Sequence, residues 1–319
     1  MSRPEPEHYV APIEEDELNT MDASELPDRR SNLWFDAWRD LRRRPLFYAA
    51  MAITLGVVVM AVFPTLFTSV PPNDNCQLML GTRGPDLGAR APGHPMGFTL
   101  QGCDVYARVV WGARTSLTVG LLVVAISAII GIPMGALAGF YGGWVDSVLS
   151  RIGDIFFSVP YFLAAVVVMT VMSSHKNVWV ISLAIGGFAW ASLARLLRAE
   201  VLQVKNKEFV AASEALGRSK FSTLMRHVLP NSLTPVIVSL TVSLGGAIVA
   251  EATLSFLGVG LGSSVMSWGN DISEAQQTIR TAPMALFWPS LFLTVTVLAF
   301  IILGELVRDA LDPKARARR

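Results

Sequence analysis

The feature that most constrains this chain is the spacing of its charges. Six intervals, 45–73, 115–145, 155–174, 177–194, 231–250 and 281–304, carry no Asp, Glu, Lys, Arg or His. Each except 177–194 reaches the ~20 residues a helix needs to cross about 30 Å of hydrocarbon. Only 16% of the 319 residues are charged, against about 25% in ordinary soluble domains. The pattern argues against a soluble enzyme and for an all-α integral membrane protein with six transmembrane helices. It divides the chain into a pre-membrane segment 1–44, a first span 45–73, an external loop 74–114, a five-helix core 115–304 and a tail 305–319.

An even number of spans puts both termini on one side. Segments 1–44, 146–154, 195–230 and 305–319 hold twenty of the twenty-six Lys and Arg, so the positive-inside bias makes both termini cytoplasmic. Residues 1–28 hold nine acidic side chains and one basic one, a composition that reads as disordered. They lack an apolar run behind a basic start, so no secretory signal is visible and the first insertion signal is the 45–73 interval. Cys76 and Cys103 fall in the same predicted external loop, where a disulfide persists if formed; the alternative is two free, partly buried thiols.

Small residues mark two helix faces. Ser127, Gly131, Gly135 and Gly139 recur every four residues in the second span, a stripe that lets another helix approach closely. In the fifth span Ser239, Ser243, Gly246, Ala250 and Thr253 form a second small, weakly polar face, with helix packing favoured over pore lining. The third span is expected to carry Pro160 in its first turn, where the missing N–H does no harm. Glu251, late in the fifth span, is the ionisable residue closest to a span interior. Such a group should face protein or water, as a gate residue or in a packing or capping role.

Several chemistries have no sequence support. There is no G-x-x-x-x-G-K-[S/T] phosphate loop, and His8, His94, His175 and His227 are too scattered for a metal constellation. No H-E-x-x-H or G-x-S-x-G is present. The basic excess is explained by membrane orientation and does not imply nucleic acid. The chain is not expected to be an enzyme or to hold a cofactor.

The 195–230 loop is too long for a simple helical hairpin connection. It opens its apolar pattern with Phe209, Ala212 and Leu216 at helical spacing, breaks at Gly217, and continues with Phe221, Leu224, Met225 and Val228 until Pro230 is expected to stop it. This reads as a helix, a glycine turn and a second amphipathic helix with a basic rim. Two roles fit: an interfacial anchor or a docking element for a cytoplasmic partner.

The same segment resembles the "EAA" loop of ABC importer permeases. Gly217, Leu229 and Pro230 are in register and Ala212 takes the first alanine place, while Ala211, Ser213 and His227 depart from the usual residues. Phe209 to Gly217, Tyr141 to Asp146, Ala250 to Gly258, Ser267-Trp268-Gly269 and Leu303 to Pro313 resemble the subfamily that imports dipeptides and oligopeptides, and most of all its C-type permease. The stretch from Gly97 to Asp104 resembles that subfamily's entry to the core, with Phe98, Thr99 and Cys103 as departures.

The resemblance implies a type I ABC importer permease fold in the cell membrane. It further implies a heterodimer with a second homologous permease, two ATP-binding subunits holding ATP and Mg, and an external solute-binding protein. The ATPase-coupling residues would be Glu208, Phe209, Ala212, Ala215, Leu216, Gly217, Arg218, Ser219, Lys220, Phe221, Leu229 and Pro230. Ser239, Ser243, Gly246 and Glu251 are the pore or gate candidates. Peptides are the expected solute; nickel complexes, glutathione or another small solute are alternatives within the family, and a secondary transporter using Glu251 is an alternative outside it.

Overall fold

The computed structural model describes residues 33–73, 76, 93–99, 101–262, 264–280 and 282–311. The acidic stretch 1–28, expected to be disordered, lies outside the described residues. The described residues form eleven α-helices: α1 Leu33–Leu41, α2 Pro45–Val62, α3 Val105–Tyr141, α4 Gly143–Ser158, α5 Tyr161–Val171, α6 Val178–Val204, α7 Glu208–Ala215, α8 Lys220–Thr223, α9 Leu229–Phe256, α10 Trp268–Ala275 and α11 Pro283–Leu311. Among the described residues, five helical runs are long and apolar enough to cross a membrane: α2, α3, α6, the run Lys220–Phe256 and α11. A sixth is reached if the bent pair α4 and α5 counts as one span.

The charge-free interval 155–174 is therefore not one straight helix. α4 and α5 meet at 75°, because Val159 is extended (φ −89°, ψ 120°), as a residue before proline prefers. Pro160 then caps α5 rather than sitting in its first turn. α3 begins at Val105, before the charge-free interval, because its arginines are accommodated. Arg108 is ion-paired, and Arg114 donates to the carbonyls of Ala61 and Val62 at the end of α2. Asp104 caps α3 by accepting the Tyr106 N–H at 3.1 Å, and a disulfide joins the preceding Cys103 to Cys76.

Packing follows the small-residue stripe. A Cβ built on Gly131 or Gly139 would lie 2.9 Å from the carbonyl oxygen of Trp190 or Arg198, and one on Gly135 would overlap that of Ala194. Ser127 Oγ donates to the Gly186 carbonyl at 3.3 Å. The stripe at 127, 131, 135 and 139 thus seats on 186, 190, 194 and 198, one turn per step, and only glycine allows the backbones so close. α5 and α9 complete this core through Ala165, Met169, Ala247 and Leu254. α1 packs through Ala37 and Leu41 against Leu303, Leu306 and Ala310 of α11.

The expected stop at Pro230 does not occur. A π-helical stretch, Leu224–Val228, joins α8 to α9, and the N–H of Leu229 reaches the carbonyl of Leu224. Proline supplies no N–H to the helix, and the wider i→i+5 turn absorbs the gap. Asn231 Nδ2 then donates to the His227 carbonyl at 2.6 Å. The 37 residues from Lys220 to Phe256 form one run of about 55 Å at 1.5 Å per residue, so its two ends are far apart.

Candidate functional site

At one end of that run lies the predicted docking loop. Glu208 opens α7, a favourable place for an anion beside the helix N-terminus. The helix closes in a Schellman motif: the Gly217 N–H bonds the Glu214 carbonyl at 2.9 Å and the Arg218 N–H bonds that of Ser213 at 3.3 Å. Gly217 has φ +80°, in the left-handed region that glycine enters without cost. Ser219 then caps α8 by accepting the Ser222 N–H, and Ser213 Oγ shares a buried hydrogen bond with Thr223 Oγ1 at 3.2 Å.

These contacts make the turn rigid and set which side chains face out. Val210, Leu224 and Val228 are buried with Leu197, Val201 and Val236, whereas Leu216 is 88% exposed and Phe221 60% exposed. Phe209 and Met225 are also exposed. The expected stripe Phe221, Leu224, Met225 and Val228 is therefore split, with Leu224 and Val228 turned inward. Ala212, Ala215, Arg218, Ser219 and Lys220 lie on the exposed surface beside Leu216; Leu229 is half-buried and Pro230 exposed.

Midway along the run, Ser239, Ser243 and Gly246 line a cavity of about 220 Å³ with Ser127, Tyr161 and Ser192. An adjoining groove of about 340 Å³ shares Tyr161 and Gly246 and extends along Ala250, Thr253, Val297 and Ile301. The second small-residue face is divided: Ala250 packs into the core, whereas a Cβ on Gly246 would meet nothing within 4 Å. Neither lining contains a charged side chain. Its hydroxyls can accept or donate hydrogen bonds to a polar solute without fixing a charge.

Glu251 does not join that cavity. Its side chain is completely buried and accepts from the hydroxyls of Ser267 at 2.8 Å, Ser255 at 3.0 Å and Ser116 at 3.3 Å. Beside it, Arg108 Nε donates to Asp271 at 2.7 Å, Nη2 to Glu274 at 3.3 Å and Nη1 to Asn73 at 3.0 Å. Burial pushes the carboxyls of Asp271 and Glu274 above their ordinary values, against the opposing pull of Arg108. Asn73, which also donates to the Ser264 carbonyl, sits three residues before the disulfide.

The four pore candidates thus divide: Ser239, Ser243 and Gly246 are brought together and Glu251 is not with them. The sequence reading missed Ser116, Arg108, Asp271 and Glu274. A signal existed in Arg108, a basic residue in the segment where the charge bias disfavours one, so it calls for a partner.

Residues 131–317 match the model of the family described as binding-protein-dependent transport system inner membrane component, and residues 32–81 match the N-terminal TM domain of oligopeptide transport permease C. The oligopeptide transport system permease protein OppC of Bacillus subtilis is 32% identical over 93% of this chain and 95% of its own length. The dipeptide transport system permease protein DppC of the same organism is 36% identical over 88% and 86%. The glutathione transport system permease protein GsiD of Escherichia coli O6:K15:H31 is 34% identical over 91% and 93%. Among solved structures, a chain of the MetNI methionine ABC transporter in inward facing conformations matches with TM-score 0.53 at 19% identity, over 64% of this chain and 96% of that one. That likeness carries the fold.

Proposed function

The chain belongs to the binding-protein-dependent transport system inner membrane component family, and from that premise we propose that it is the permease subunit of an importer for dipeptides or oligopeptides. As a multi-pass inner-membrane permease of the peptide and glutathione branch of ABC importers it is not itself catalytic. Its family works with ATPase subunits, where ATP binds, and with a binding protein.

The observation that carries the proposal is the Gly217 turn, which holds Leu216 and Phe221 out on a hydrogen-bonded scaffold. An apolar pair on a rigid turn fits a groove in a partner, and the chain has no phosphate loop of its own. In this reading two ATPases grip the segment from Glu208 to Pro230, their closure on ATP tilts the Lys220–Phe256 run, and access alternates. The Gly217 end and both termini are cytoplasmic, and the α10 end is external. A second homologous permease completes the path on the open face of Ser239, Ser243 and Gly246.

The uncharged, hydroxyl-bearing lining supports a solute of peptide chemistry, whose amides need hydrogen-bond partners and whose end charges vary little. Glutathione, itself a tripeptide, is the second reading, favoured by the similarity to GsiD. The test is reconstitution with the second permease, the two ATPases and the binding protein. Peptide-stimulated ATP hydrolysis with peptide uptake supports the proposal. Stimulation by glutathione alone selects the second reading, and uptake that needs no ATPase overturns both.

A further inference from the structure

We infer that Glu251 is a positioning residue that joins α10 to the start of α3 and the end of α9, so that the α10 end of the permease moves as one body during transport. The inference rests on the permease reading above.

The carboxylate collects three hydroxyl protons from three places in the chain: Ser116 on α3, Ser255 on α9 and Ser267 at the cap of α10. Two of those hydroxyls act again. Ser267 Oγ accepts the Asn270 N–H at 3.1 Å and Ser116 Oγ accepts the Trp268 N–H at 3.3 Å. A serine has one proton and two lone pairs. By taking the proton, Glu251 turns the lone pairs of both serines toward α10, and they satisfy N–H groups that the first turn of a helix otherwise leaves unpaired. Glu251 thus orients the α10 start through two side chains it does not share a helix with.

The neighbouring contacts make the same junction resistant to sliding. Trp268 is fully buried, and its Nε1 donates to the Val109 carbonyl at 2.9 Å. A Cβ on Gly269 would lie 2.5 Å from the Cα of Ala252, and one on Gly112 would lie 3.2 Å from the Trp268 ring. One turn beyond, Asp271 and Glu274 hold Arg108. Residues 116, 112 and 108 of α3 therefore meet 267, 268, 271 and 274 in reverse order, a zipper that cannot shift by one turn without stranding buried charges. Interfaces of this kind move as rigid bodies and leave the bending to less packed places. The α4–α5 junction is such a place: the helices meet at 75° across Val159 and Pro160, and α4 buries none of its side chains.

The test uses the full chain in its reconstituted complex, with spin labels at Thr118→Cys on α3 and Gln276→Cys just after α10. Both positions are exposed, and the native cysteines are tied to each other. Between the nucleotide-free and ATP-trapped complex, the label distance should change by less than about 2 Å; a change above about 5 Å, one helical turn, would overturn the inference. Glu251→Ala should broaden the distance distribution and cut solute moved per ATP hydrolysed about tenfold. Glu251→Gln, which keeps a carbonyl for Ser267 and Ser255, should restore the narrow distribution and stay within about threefold of the parent. If Glu251→Gln is as impaired as Glu251→Ala, the charge rather than the positioning matters and the inference fails. Should Glu251→Ala not assemble, Ser267→Ala takes its place, and an unchanged distribution there counts against the inference. Absence of ATP-driven uptake by the unlabelled parent complex would instead overturn the permease reading.

Discussion

The two ends of the Lys220–Phe256 run handle exposed chemistry in opposite ways. At the α10 end a buried carboxylate, an ion-paired arginine and a tryptophan indole all find partners within the chain. At the Gly217 end Leu216 and Phe221 stand in the open on a turn whose own hydrogen bonds are complete. Burying a polar group without a partner is expensive, and exposing an apolar one in water is mildly so. The α10 end therefore holds its buried Glu251 and Arg108 with partners from the chain itself, whereas the Gly217 end presents an apolar pair on a completed turn that another surface can cover.

The sharpest way to break this comparison is to leave the α10 end unfinished. Arg108→Met should destabilise the protein by about 3 to 5 kcal/mol, because Asp271 and Glu274 stay buried without their cation. Thermal unfolding in detergent reads this directly. The pH sign follows from the raised acids. A carboxyl whose folded-state pKa is raised contributes stability at low pH that is lost as pH climbs through that value. Without Arg108 the burial effect is unopposed, so the deficit of the variant should grow from pH 5 to pH 8. A deficit equal at both values would mean that the two acids are not held by Arg108.

At the other end, Gly217→Pro forces φ near −65° where the turn needs +80°. It should cost about 3 kcal/mol locally and abolish ATP-driven uptake while hydrogen exchange at α10 stays as in the parent. Normal uptake would show that the turn does not couple. Gly135→Ala tests the ground between the ends: its methyl overlaps the Ala194 carbonyl and should cost about 1 to 3 kcal/mol by prising α3 from α6, seen as a lower unfolding temperature. The smallest effect belongs to Phe221→Ser. Stability should stay within about 0.5 kcal/mol, as for other exposed positions. ATPase affinity should fall by about 1 to 2 kcal/mol, the worth of a partly buried aromatic, measured by titrating ATPase onto the purified permease.

Much of the fold was readable from local pattern. The stripe of Ser127, Gly131, Gly135 and Gly139 announces a close helix contact because period four places all four on one face, and α6 supplies its partner. The Gly217 turn was equally visible, since a glycine between two apolar helical patterns marks a left-handed cap. The open face of Ser239, Ser243 and Gly246 could not be separated from a packing face, because small residues serve both uses. The passage through Pro230 was hidden for a related reason. Locally the proline argues for a stop, but burial of Leu224 and Val228 holds the chain helical on both sides, and a wider turn removes the conflict.

Charge spacing alone determined that this is a membrane protein of helical spans, because hydrocarbon tolerates few charges and requires every backbone group to bond within its own segment. The four-residue period of small residues determined where α3 could touch another helix, and Gly217 marked one turn. Only the tertiary structure decided the fate of the polar residues that remained. Arg108 and Asp271 are 163 positions apart, and Ser116 lies 135 from Glu251. No period in a sequence records such a pairing, since it depends on which helices the apolar and small-residue faces have already brought together.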